Sequence, residues 1–136
     1  MIAIVDSFAW IEFLAGSRNE DKIRTTLAKA DVVVTPDIVL AEVARKLLRD
    51  NVGAEEVRRK LLDMATLSEI APITVEVALG VFDAEVDLRR SAKMRRRDTP
   101  GLSDSVILSV ARARGGVVLT GDPHFRGLPE TLWLDP

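Results

Sequence analysis

Apolar residues follow two rhythms along this chain, short unbroken runs and longer stretches in which they return every three or four positions. The runs IAIV at 2–5 and VVV at 32–34 have no polar interruption, the pattern of strands buried on both faces of a parallel sheet. VVLT at 117–120 is the clearest later strand, while EIAPI at 69–73 offers a short one and TLWL at 131–134 an edge strand. Helical rhythm fills the intervals. SFAWIEFLAG closes at Gly16, a second helix covers about 19–30, and DIVLAEVARKLLRD begins after Pro36. Gly53 sets off EEVRRKLLDMATL, a long helix covers about 75–90, and GLSDSVILSVARARGG ends on two glycines. GDPHF at 121–125 reads as a turn.

Strand and helix alternating without repeat or linker predict an α/β fold in a single domain over residues 1–136. A central, mostly parallel twisted sheet of about four to five strands would carry helices on both sides. Ligands of such sheets bind beyond the carboxyl ends of the strands, where connections diverge to opposite faces. Asp6 closes the first strand and Asp122 follows VVLT by two residues, so both fall at that edge.

Composition narrows the chemistry. With no cysteine, disulfides, thiolate zinc sites and cysteine nucleophiles are excluded, and the single His124 cannot supply a multi-histidine zinc set. A lone histidine in a polar turn reads as an exposed side chain rather than a general base. Four Phe, two Trp and no Tyr leave too few aromatics for a base-stacking platform. Trp10 and Trp133 read as core or interface packing. The amino terminus MIAIVD has neither a basic leader nor a membrane-length apolar run, which points to a cytoplasmic protein with no membrane partner. The net charge of −2 does not advertise nucleic-acid binding, although the basic residues are unevenly placed. Arg89, Arg90, Lys93, Arg95, Arg96 and Arg97 crowd nine positions, either a solvated helix end or a phosphate-gripping rim.

Four acidic residues, Asp6, Glu42, Asp104 and Asp122, sit near predicted element ends and could meet only through folding. Together they would make a site for a hard divalent cation. Each also has a local explanation. Asp6 and Asp122 suit helix capping, Asp122 ahead of a proline. Asp104 falls inside the apolar arc of its helix with Val106, Ile107 and Val110, where a carboxylate needs a partner or a cap. Glu42 lies with Arg45, Lys46 and Arg49 on the polar side of its helix, where an exposed pair with Lys46 would account for it.

In order along the chain, IVDSFAWIEFLAG, LAEVARKLL, LSDSVILSVAR and LTGDPHF closely resemble the motifs of the PIN-domain nucleases, and the opening segment resembles the VapC toxins of type II toxin–antitoxin pairs. The resemblance spans nearly the whole chain and implies a PIN-like fold. It also implies that Asp6, Glu42, Asp104 and Asp122 form the catalytic and metal-binding set, holding one or two Mg²⁺ or Mn²⁺ ions. Ser7 and Thr120 match neighbouring hydroxyl positions that orient carboxylates or water. The implied activity is hydrolysis of RNA phosphodiesters by a metal-activated water. The implied partners are RNA, a cognate antitoxin and a second copy of the chain. A housekeeping RNA-processing nuclease and a non-catalytic binding module of the same fold are the alternatives. A receiver domain would need paired acidic residues after the first strand and a late lysine, and a haloacid-dehalogenase-like phosphatase an acidic residue at position 8, where Phe8 stands.

Overall fold

The apolar run at the amino terminus forms β1, Ile2–Val5, whose Ala3, Ile4 and Val5 are completely buried. The computed structural model describes residues 1–94 and 99–135. After β1 come α1 (Ser7–Leu14), α2 (Glu20–Lys29), β2 (Val32–Pro36), α3 (Asp37–Arg49), α4 (Ala54–Leu67), β3 (Glu69–Ala71), α5 (Val75–Met94), α6 (Leu102–Arg114) and β4 (Val117–Thr120). A 3₁₀ turn at Pro123–Phe125 leads to β5, Thr131–Trp133. Among the described residues, the strands form one sheet in the order β3-β2-β1-β4-β5, and every neighbouring pair is parallel.

The chain steps from β1 outward through β2 to β3, then returns to place β4 on the opposite edge of β1. Right-handed crossovers on the two limbs of this path lie on opposite faces of the sheet. A crevice opens where they part, past the carboxyl ends of β1 and β4. Ile4, Val34, Val118 and Leu119 form the centre of the core with Trp10, Ile107, Leu108 and Phe125. Each fully buried aliphatic side chain contributes about 1.5–3 kcal/mol relative to exposure.

Boundaries differ from the sequence reading where backbone chemistry intervenes. Thr35 and Pro36 extend β2, paired with Ile70 and Ala71, while α3 begins at Asp37 as expected. β3 stops at Ala71 because Pro72 has no N–H for the ladder. α5 runs past residue 90 to Met94. At the end of α6, Gly115 takes the left-handed conformation, φ 65°, and its N–H bonds the carbonyls of Ala111 and Arg112.

Trp10 is fully buried, and its Nε1–H donates to Thr35 Oγ1 at 3.0 Å, pinning α1 to the end of β2. On the other face α5 and α6 approach closely at Gly80. A Cβ built there lies 2.5 Å from Ser109 Oγ, a hydroxyl already donating to Val77 O at 2.6 Å. Gly80→Ala is expected to cost about 1–3 kcal/mol in urea unfolding. Adding Ser109→Ala should recover part of that loss, because the next nearest atom, Ser109 Cβ, is at 3.7 Å.

Candidate active site

Two strand ends, one helix start and the body of another helix supply the acidic groups. Asp6 follows β1 directly, and its Oδ1 accepts from Ala9 N–H at 2.9 Å as the cap of α1. Asp122, two residues past β4, caps the 3₁₀ turn by accepting His124 N–H at 3.0 Å, with Pro123 next in the turn. Asp104 lies in the first turn of α6, and its Oδ2 accepts from Gly101 N–H at 3.3 Å. The local capping roles and a shared site are compatible, since a carboxylate that accepts one N–H keeps further lone pairs.

Glu42 departs from its sequence reading. Lys46 pairs instead with Asp50 at 2.9 Å. Glu42 is partly buried, and its Oε2 accepts from Ser103 Oγ at 3.1 Å, tying α3 to the start of α6. Helical periodicity places a residue relative to its own helix, and here the polar side of α3 faces a second helix rather than water.

Hydroxyls tie the carboxylates together. Thr120 Oγ1 accepts from Asp122 N–H at 2.9 Å and donates its own proton to Asp6. The Ser7 hydroxyl bonds Glu42. Gly121, between Thr120 and Asp122, leaves room for the Phe8 ring, with which a Cβ there would collide.

Burial dominates the electrostatics. It pushes the Asp6 carboxyl up to about 7 against the Thr120 and Ala9 hydrogen bonds, with Asp122 and Glu42 adding repulsion. Asp104 rises to about 6, again first through burial and then through Asp122, with His124 opposing. Glu42 is raised by burial despite Ser103, Arg45 and Ser7. Half-buried and buried carboxylates that repel one another favour a proton or a cation. Glu42 Oε1 is also buried without a hydrogen-bond partner, an acceptor still to be satisfied. Oxygen donors of this kind suit a hard divalent ion.

His124, read from sequence as exposed, is half-buried at 24% side-chain exposure and belongs to the cluster. Its Nδ1 is 3.0 Å from Asp122 Oδ1 and 3.7 Å from Asp104 Oδ2. The signal lay in Asp-Pro-His itself. An aspartate capping a turn accepts the backbone N–H two residues later, which keeps that residue beside its carboxylate.

Of the basic cluster, Arg89 and Arg90 are not drawn into this group. Arg89 pairs with Glu85 at 3.0 Å and Arg90 with Asp87 at 3.7 Å, both within α5. Arg90 also lines a separate cavity of about 710 Å³ with Arg112, Leu128 and Glu130. Arg95, Arg96 and Arg97, and the side chain of Lys93, lie outside the described residues. A smaller cavity of about 410 Å³ adjoins the acidic group, lined by Ile38, Ala41, Glu42, Arg45, Leu102 and Ser103. Among the described residues, no helix is long and apolar enough to cross a membrane.

The family model described as PIN domain matches residues 3–130. Among similar solved structures is VapBC-1 from nontypeable Haemophilus influenzae, with a TM-score of 0.72 and 17% identity over 99% of this chain and 98% of that one. DNA-bound VapBC from Salmonella typhimurium has a TM-score of 0.71 and 16% identity over 98% and 97%. Mycobacterium tuberculosis VapC20, a sarcin–ricin loop cleaving toxin, has a TM-score of 0.66 and 22% identity over 94% and 97%. At these identities the likeness is one of fold. No curated protein matches the sequence.

Proposed function

The chain belongs to the PIN domain family, and from that premise we propose that it is a divalent-metal-dependent endoribonuclease serving as the toxin of a VapBC-type toxin–antitoxin pair. The observation that carries this reading is the acidic group itself: Asp104 and Asp122 have donor atoms within 4.8 Å of one another and of His124, Asp6 and Glu42 feel the same charges, and Asp6 and Asp104 are pushed up by burial. These four carboxylates would hold one or two Mg²⁺ or Mn²⁺ ions. When bound, the ions lower the pKa of a water and neutralise phosphate oxygens, so that an acidic pocket accepts RNA.

The chain's own residues set the geometry. The Ala9 and Gly101 N–H groups each hold one oxygen of Asp6 and Asp104, which orients those carboxylates and leaves lone pairs for the ion. Thr120 holds Asp6 and Asp122 in one bonded unit, and the Ser7 and Ser103 hydroxyls aim Glu42. Substrate choice falls to side chains outside the acidic group, and Arg89, Arg90, Lys93, Arg95, Arg96 and Arg97 are the candidates to meet phosphates. The sarcin–ricin loop cleaving activity of VapC20 supports RNA as the substrate class. Structured total RNA with the purified protein and Mg²⁺ or Mn²⁺ should give discrete cuts that EDTA abolishes. Uncut RNA across tRNA and rRNA loops would reject the reading.

Two protein partners follow. An antitoxin is supported by the VapBC complexes among the similar folds. The 410 Å³ cavity beside Glu42 would take an apolar side chain of its helix, with a basic side chain reaching the carboxylates. The complex should then cleave RNA more slowly than the free protein.

For a homodimer, the supporting feature is a stripe on α5. Val75, Leu79 and Phe82 are 74%, 71% and 70% exposed, and Val86 continues the line. Large apolar side chains at such spacing form an interaction face. Phe82→Glu is expected to raise the dimer dissociation constant by at least about tenfold, read by light scattering across a dilution series.

A further inference from the structure

We propose that His124 is itself a ligand to the ion, so that the centre is a mixed carboxylate–imidazole site that prefers a first-row transition ion such as Mn²⁺ to Mg²⁺. The proposal rests on the metal-dependent reading above and departs from an all-oxygen site. One donor atom from each of Asp104, Asp122 and His124 lies within 4.8 Å of the other two, the only such trio among the described residues. An octahedral ion with ligands at about 2.1 Å sets adjacent donors about 3 Å apart and opposite donors about 4.2 Å apart. The Nδ1 separations of 3.0 Å from Asp122 Oδ1 and 3.7 Å from Asp104 Oδ2 fall within that span.

The imidazole is delivered to this place by the backbone. Asp122 caps the 3₁₀ turn, Pro123 fixes its first dihedral, and Phe125 anchors its end in the core at 0% exposure. His124 therefore arrives with Asp122 as one rigid unit. Glu42 Oε1, buried on the facing helix without a hydrogen-bond partner, is a further acceptor on this side of the crevice.

Donor chemistry then sets the preference. Mg²⁺ favours oxygen and gives up its water reluctantly, whereas imidazole nitrogen suits the first-row transition ions. Replacing one anionic oxygen with a neutral nitrogen shifts the balance toward the latter.

Pulsed electron paramagnetic resonance on the untagged, full-length protein loaded with Mn²⁺ tests this directly, because the chain has a single histidine. A ¹⁴N coupling of a directly bound imidazole is expected, changed by ¹⁵N-histidine labelling and absent from His124→Ala and His124→Gln. Titration calorimetry should show Mn²⁺ affinity falling about 10–100-fold in both variants, with Mg²⁺ affinity changing less than about threefold. Bound Mn²⁺ with no nitrogen coupling in the wild type overturns the proposal and leaves a carboxylate nuclease standing. A clear nitrogen coupling in a protein that cuts no RNA upholds the ligand and rejects the nuclease. Failure of the wild type to bind Mn²⁺ at all overturns both.

Discussion

Asp104→Asn is expected to lower RNA cleavage by about 10³-fold, equivalent to about 4 kcal/mol of lost transition-state stabilisation, while the circular dichroism spectrum stays that of the wild type. The two effects separate because Asp104 does two jobs. Its Oδ2 accepts the Gly101 N–H that starts α6, and an amide oxygen can do the same. Its charge serves the acidic cluster, where an uncharged amide is a poor ligand for a hard ion. The substitution also removes a charge that burial and Asp122 together disfavour, so the apo fold gains rather than loses. A folded variant that still cuts at the wild-type rate would remove Asp104 from the catalytic set.

Asp6→Asn should stabilise the metal-free protein by roughly 2–4 kcal/mol at pH 8 and by almost nothing at pH 4. Asp6 is the most deeply buried of the four carboxylates, and its carboxyl sits at about 7 in the fold against an ordinary 3.8. Below about pH 4 it is protonated whether the chain is folded or not, and burial costs no charge. As pH rises from there through 7 the unfolded chain ionises freely, while the folded one must either hold its proton or bury a charge. Stability is therefore fully present at low pH and lost across the window between the two values. The asparagine keeps the Ala9 bond, and the Thr120 oxygen has a lone pair left for the amide. Urea melts of both proteins in EDTA at the two pH values read the difference. An equal gain at pH 4 would mean that charge is not the cause. Saturating Mn²⁺ should close the gap at pH 8, since a ligand of the native state adds stability by mass action.

The fold was largely legible because a parallel sheet writes itself in unbroken apolar runs, and IAIV, VVV and VVLT all became strands. Short edges were harder. β3 and β5 have three residues each, and their limits were set by Pro72 and by the partner strand rather than by their own composition. Three of the four carboxylates announced themselves through strand ends or an apolar arc. Glu42 did not, because its neighbour is Ser103 on a helix far along the chain. His124 was misread because a turn looks solvated in sequence, while in space it closes over the same crevice as Asp104.

The pairing of β1 with β4 has a temporal meaning as well. Val5 lies beside Leu119, so Asp6 acquires its neighbour Asp122 only by joining segments on the order of a hundred residues apart. A chain emerging amino terminus first makes α1 through α5 before the second half of that pairing exists. Any fragment that ends before β4 lacks both Asp122 and the strand that closes the far edge of β1. The acidic centre is thus assembled among the last events of the chain's own synthesis, and products truncated before β4 carry no complete set of carboxylates.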